Sequence, residues 1–249
     1  MVETVTAMGI VMSAMPIGEY DKRVVLLTKQ FGKITAFARG ARRPTSQFLS
    51  GTQPMSFGEF TMYRGRNSYT ITNVKVTEYF GGEMTDINKM YMGMYFLEMA
   101  DYYGRENIDG TDTLKLIYLS LKALQNDSIP DKLVKNIYEL KSLVINGEYP
   151  NVFTCVNCGN NSELDYFDLR KNGMICSKCH GNLSKDKLVS QSAVYALQYI
   201  ISSPLNKLYT FNVKDEVWQE INGIIESYLK EHIEKQFKTL EFLEISYWK

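Results

Sequence analysis

The sequence predicts an α+β protein of more than one domain, with a small β-barrel over residues 1–80 and an α-helical domain over residues 81–249 that is interrupted at about residues 152–184. Three observations carry this. Short β-branched and aromatic runs separated by glycine and proline fill the first 80 residues, apolar spacing of three and four takes over beyond them, and two close pairs of cysteines break into the helical part. A chain of 249 residues is larger than one hydrophobic core usually serves, and its 45% apolar and 22% charged residues are ordinary for a globular protein.

Five strands are expected: Thr4 to Ser13, Arg23 to Thr28, Lys33 to Arg39, Glu59 to Tyr63 and Tyr69 to Val76. Pro16-Ile17-Gly18 and Phe31-Gly32 supply breaks, and Gly65-Arg66-Asn67-Ser68 closes a hairpin between the last two strands. The stretch from Gly40 to Gly58 holds Pro44, Gly51 and Pro54 and has no clear period, which suits a connection over the open end of a barrel. Five short strands in a segment of this length fit an OB-fold better than a sandwich, with an SH3-like barrel as the remaining alternative.

Helices follow. The first runs from about Thr85 to Tyr103, marked by Ile87, Met90, Tyr91, Met94, Tyr95 and Leu97 and ended by Gly104. The next spans Asp112 to Asn126 on Leu114, Ile117, Leu121 and Leu124, with Thr111 at its N-cap. A third opens on Pro130, buries Leu133, Val134, Ile137, Leu140 and Val144, and stops at Gly147 and Pro150. Beyond the cysteines, Ser192 to Ser202 and Asp215 to Lys238 complete a helical bundle, the latter on Val217, Ile221, Ile224, Tyr228 and Leu229.

The cysteines are the most specific signal. Cys155-Val-Asn-Cys158 and Cys176-Ser-Lys-Cys179 form two C-x2-C knuckles with 17 residues between them, the spacing of a zinc ribbon. Each two-residue gap lets both thiolates point at one ion, so Cys155, Cys158, Cys176 and Cys179 are expected to hold one structural Zn²⁺. Gly159 relieves the turn after the first pair, and Leu164 to Leu169 can pair with Gly173 to Ile175 around Arg170-Lys171-Asn172. His180 follows the last cysteine and is expected to stand by, since four thiolates already complete a tetrahedron. Compartment points the same way: Met1 to Ile10 lacks the features of a secretory signal, so the reducing cytoplasm is the expected location, and disulfides are disfavoured there. No segment approaches the ~18 uninterrupted apolar residues of a membrane span, so no membrane partner is expected.

Signs of catalysis are missing. Four cysteine ligands leave the metal no open position, no phosphate-binding glycine loop occurs, and the histidines are His180 and His232, the latter within a long amphipathic segment. Asp165 and Asp168 are a pair of carboxylates without a partner base, most simply surface charges. The protein is expected not to be an enzyme.

A net charge of zero hides an asymmetry. Ten basic and five acidic residues precede Gly81, a net of +5, against −5 beyond it. The N-terminal part therefore suits a polyanion, with mere solubility as the plainer explanation. Strand alternation puts Lys33, Thr35, Phe37 and Arg39 on one face and Ile34, Ala36 and Ala38 on the other. The first set combines cations with an aromatic, as a surface that tracks phosphates and stacks a base requires; a solvated strand is the alternative. Arg42 and Arg43 follow in a loop, and Arg64 and Arg66 flank the hairpin turn.

The runs Gly18-Glu-Tyr-Asp21, Phe31-Gly-Lys-Ile-Thr-Ala-Phe-Ala-Arg-Gly-Ala-Arg-Arg-Pro44, Gln53-Pro-Met-Ser-Phe57 and Tyr63-Arg-Gly-Arg66 resemble the N-terminal barrel of the RecO family. The helical segment, Cys155-Val-Asn-Cys158-Gly159, the second knuckle and the closing Phe237-Lys-Thr-Leu-Glu-Phe-Leu-Glu244 are similar to that family's pattern in the same order, over nearly the whole chain. The resemblance implies an OB-fold barrel and a recombination mediator of DNA repair, associated with the nucleoid. Such a mediator binds single- and double-stranded DNA, anneals complementary strands, engages the C-terminal tail of the single-strand binding protein SSB and, with RecR, helps RecA displace SSB. It places DNA contact on Lys33, Arg39, Arg42, Arg43, Arg64 and Arg66, beside the stacking ring Phe37 read from strand alternation, and the SSB contact in the helical part. Some family members lack the cysteines, which implies that zinc is not essential to the family's activity and leaves it a role in the folding of this chain. Two other classes stay open, an RNA-binding protein of translation or transcription and a metal-assisted nuclease.

Overall fold

The structure, a computed structural model, describes residues 3–66, 68–181 and 188–246, leaving aside the side chains of Glu244 and Ser246. Asn67 in the expected hairpin turn and residues 182–184 at the end of the expected ribbon lie outside the described residues. Two compact units result, residues 1–125 with 237–249, and residues 126–236.

The first unit is built on five strands, β1 (Glu3–Ile17), β2 (Asp21–Thr28), β3 (Gly32–Ala38), β4 (Ser56–Arg64) and β5 (Tyr69–Tyr79). They close into a barrel in the order β1-β2-β3-β5-β4, and β4 pairs back onto β1. All pairings are antiparallel except β3 with β5. Inserting β5 between β3 and β4 is the OB arrangement and removes the SH3-like alternative. Alternation places Val24, Leu26, Ile34, Ala36, Ala38, Phe60, Met62, Tyr69 and Ile71 inside, a mixture of small and large residues that fills a narrow barrel.

Strand β1 is longer than expected. It continues through Pro16, which pairs with Lys22 near the hairpin end, where a missing N–H disturbs little of the ladder. The chain turns instead at Gly18, whose φ of +56° favours glycine. The connection after β3 covers the barrel end: Ala41 is buried in its core, Phe48 packs against that core, and the Met55 N–H donates to the Val11 carbonyl at 2.9 Å.

Helices α1 (Phe80–Glu83), α2 (Ile87–Tyr103) and α3 (Thr111–Leu124) complete the first part of this unit. Asp86 caps α2, its Oδ1 accepting from the N–H groups of Asn88 (2.7 Å) and Lys89 (3.4 Å). Asp86→Ala should lower stability by about 1 kcal/mol in a denaturant melt, and Asp86→Asn, which keeps the accepting oxygen, should lose much less. Thr111 is not the N-cap of α3 but its first helical residue, after Gly110. The capping role passes upstream because the Asp109 carboxylate accepts from both the N–H and the hydroxyl of Thr111.

The second unit contains α4 (Asp131–Ile145), a ribbon made of β6 (Leu164–Asp168), β7 (Gly173–Cys176) and α5 (Ser177–His180), and then α6 (Gln191–Ser202) and α7 (Asp215–His232). Central α4 buries polar as well as apolar residues, among them Lys135, Asn136, Glu139 and Lys141. Lys141 Nζ donates to the carbonyls of Ile200, Ile201 and Ser203 at 2.7 to 3.2 Å, satisfying the C-terminal end of α6 with a positive charge.

The expected helix from Asp215 to Lys238 is two helices. Ile233 is extended (φ −112°, ψ 111°), and α8 (Lys238–Ser246) belongs to the first compact unit. There Phe242 stacks on Tyr91 at 3.8 Å, Phe237 meets the rings of Tyr95 and Tyr102 edge-on, and Thr239 donates to Glu98. These aromatic contacts on α2 outweigh continuation of the α7 stripe. Among the described residues no helix is long and apolar enough to cross a membrane.

Candidate functional site

The ribbon brings the four cysteines together. Gly173 starts β7 where a side chain would strike the Asn151 carbonyl, and Asn172 before it takes a left-handed φ of 55° to close the turn. In the first knuckle the Gly159 N–H donates to the Cys155 carbonyl at 2.8 Å, with Gly159 at a φ of +76°, and the Val156 N–H donates to Met174 across the ribbon. All four sulfurs lie within 4.8 Å of one another, and Cys158 Sγ is 3.7 Å from Cys176 Sγ. A tetrahedral ion with ~2.3 Å bonds to sulfur sets its ligands about 3.8 Å apart. The cluster is therefore close enough to hold a metal ion, and its donor set is all thiol.

Electrostatics favour the charged form at Cys155, one of the two buried ligands. Burial pushes the Cys155 thiol up, but backbone N–H groups of Cys176, Asn157 and Cys158 aimed at the sulfur outweigh it and bring the value down to about 6. Cys179, which donates to the other sulfurs, is pushed up to about 12, so protonation is shared within the cluster. His180 points elsewhere, with Nε2 3.0 Å from Asp165 Oδ1 and its ring stacked on Tyr166. Asp168 accepts from the N–H groups of Arg170 and Lys171 and holds the ribbon turn.

The basic residues of the barrel divide into two groups. Lys33 Nζ is held by the C-terminal turn of α2, 3.3 Å from Asp101 Oδ1 and donating to the Asp101 carbonyl at 2.8 Å. Arg42 donates to the carbonyls of Gly18 and Glu19 and braces the β1–β2 turn. Arg43 lies over the Tyr20 ring at 5.0 Å, and Arg64 stands 3.9 Å from Glu3 and 6.0 Å from the Phe31 ring. Arg39 and Arg66 are exposed. Phe37 lies half-buried on the outer face of β3, opposite the core residues Ala36 and Ala38, so it is not part of the barrel interior. Register also brings Arg23 of β2 directly beside Phe37, a neighbour that linear spacing does not reveal. Among the described residues Arg23 and Arg39 have no ion-pair partner.

Comparison with known proteins matches both halves of this architecture. Residues 1–80 match the family model of the recombination protein O N terminal, and residues 84–241 match that of the recombination protein O C terminal. The DNA repair protein RecO of Acetivibrio thermocellus is 32% identical over 238 residues, 95% of this chain and 94% of the relative. That of a Thermoanaerobacter species is 30% identical (91% and 92% covered), and that of Bacillus subtilis 28% (95% and 92%). With barrel, helices and cysteine ribbon all inside the matched length, the chain belongs to the RecO family of DNA repair proteins.

Proposed function

We propose that this protein is a non-enzymatic recombination mediator. It binds single- and double-stranded DNA through the barrel, anneals complementary strands and, with RecR, helps RecA replace SSB on single strands. The observation that carries this is the match of both family models to one chain whose barrel half bears the positive excess. Annealing brings two phosphate backbones together, and exposed cations reduce their repulsion. DNA contact falls to Phe37, Arg39, Arg43, Arg64 and Arg66, while Lys33 and Arg42 support the strands and turn that present them. The ribbon cysteines hold one zinc, which supplies folding energy to that segment and takes no part in chemistry. The DNA-binding part ends with the barrel at residue 80. The helical part, 81–249 with its ribbon at 152–184, serves protein partners, including the acidic SSB tail, in the cytoplasm at the nucleoid.

Salt dependence tests the barrel's role. For single strands, log affinity falls with log salt by about 0.7 per phosphate neutralised, so Arg39→Ala with Arg43→Ala should flatten the slope by roughly 1 to 1.5 units whatever the sequence. Lys207→Ala with Lys230→Ala, exposed positions of the second unit, should leave it unchanged. Lys135 makes a poor control there, because it is buried and ion-paired. An unchanged slope in the arginine variant would remove the barrel from the DNA site. Competition by RNA of equal length at fixed salt distinguishes an RNA-binding role.

A further inference from the structure

Cross-strand register aligns one row of residues on the outside of the barrel. Met15 of β1 pairs with Arg23 of β2, Arg23 with Phe37 of β3, Phe37 with Thr70 of β5, and Thr70 with Tyr63 of β4. Directly opposed residues share a face, and the face here is the outer one. The flanking Val24, Ala36, Ala38, Tyr69 and Met62 all lie in the core, whereas Met15 is 59% and Tyr63 48% exposed. The row therefore carries, in order, an exposed thioether, an exposed cation, an aromatic ring, a small hydroxyl residue and a second aromatic ring.

We infer that this row is a base-stacking track on which a single DNA strand runs across the strands of the barrel, with Phe37 and Tyr63 as its two stacking platforms and Arg23 as its phosphate contact. The inference rests on the barrel being the DNA site and adds a path and two residues, Arg23 and Tyr63, to it. Neighbouring strands are about 4.8 Å apart, which puts Phe37 and Tyr63 about 9.6 Å from each other. At the ~3.4 Å rise of a stacked strand this spans nearly three nucleotides, fewer if the strand is stretched. The intervening bases pass over Thr70, whose small side chain leaves them room. Charge complementarity selects the occupant: the barrel half carries +5, and Arg23 and Arg39 flank Phe37 with no carboxylate paired to either among the described residues. Aromatic faces in a cationic row suit unpaired bases, because a duplex keeps its base faces stacked on each other.

The test compares oligo-dT with an abasic strand of equal length, both labelled, on the full chain. Tyr63→Ala should weaken oligo-dT binding by about 5- to 150-fold and leave the abasic strand unaffected, and Tyr63→Trp should restore the loss. Tyr63→Leu keeps the bulk without the π-face and should behave as the alanine variant does, which guards against a folding defect. Arg23→Ala should weaken both strands alike and flatten the salt slope by about 0.7. Equal losses on both strands for Tyr63→Ala would overturn the stacking role. Unchanged oligo-dT binding in Tyr63→Ala, with loss in Arg39→Ala/Arg43→Ala, would overturn the track and leave the barrel as the DNA site. Unchanged binding in both would overturn the barrel reading and the track with it.

Discussion

Stripping the metal with a strong zinc chelator is expected to unfold the ribbon from Val152 to Gly181 while the barrel stays folded and keeps its DNA affinity. The ribbon's buried apolar residues are few, chiefly Val152, Leu164, Met174 and Ile175. Metal binding to four thiolates contributes an apparent ~10 kcal/mol or more to folding a segment of this kind. Cys155→Ser and Cys176→Ser remove the two buried ligands and should act as the chelator does. Hydrogen exchange along the chain is the measurement, with elemental analysis expected to find one zinc per chain. Absence of metal in protein purified without chelator would overturn the assignment. Loss of DNA binding in a folded cysteine variant would overturn the division of labour between ribbon and barrel. Acid should mimic the chelator. Cys155 has its folded value near 6, below its ordinary 9.0. A group depressed in this way contributes stability that is fully present above its unfolded value and is lost as pH falls through the folded one. Acidification should therefore weaken metal retention progressively, as protons compete with the ion for the thiolates.

Lys135→Ala is expected to destabilise the second unit by about 3–5 kcal/mol, although lysines on helices are usually replaced at little loss. Lys135 is 2% exposed, its Nζ lies 3.0 Å from Glu139 Oε1 and 3.6 Å from Glu226, and Glu139 is fully buried. Asn136 extends the network, donating to Asn222 at 2.9 Å. Removing the lysine takes from the buried Glu139 carboxylate its ammonium partner, the contact that compensates its charge most directly, while the 3.4 Å contact from Asn136 stays in place. Glu139→Gln should do comparable damage. Lys135→Met combined with Glu139→Leu removes both charges and should recover most of the loss, since apolar residues of similar size often replace a buried pair without penalty. Chemical denaturation of the three variants decides this: a double variant as unstable as the singles would show that the pair does more than neutralise itself.

What the sequence determined by itself is whatever a short stretch of chain encodes. The strands followed from alternation such as Ile34, Ala36 and Ala38 against Thr35 and Phe37, because residue period 2 sets the face before any partner is known. The cysteine cluster followed from two knuckles, because a two-residue gap confines two thiolates to one ion whatever surrounds them. Local capping was less secure: Asp109, two residues upstream, took the role expected of Thr111. Tertiary structure decided between the OB-fold and SH3-like placements of β5, and it alone decided the docking of α8 on α2 and the surroundings of individual charges. Lys33 has the right face for DNA, yet its ammonium is held by Asp101, 68 residues away. Lys135 looks like a surface lysine in the helix pattern but is enclosed because α4 is packed on every side. Arg23 and Tyr63 reach the row of Phe37 only through the hydrogen-bonded register of four strands. Each of these depends on which distant backbone groups pair. Side-chain period and spacing specify a face or a turn, whereas partners separated by tens of residues are selected by the free energy of the closed barrel and packed helices as a whole.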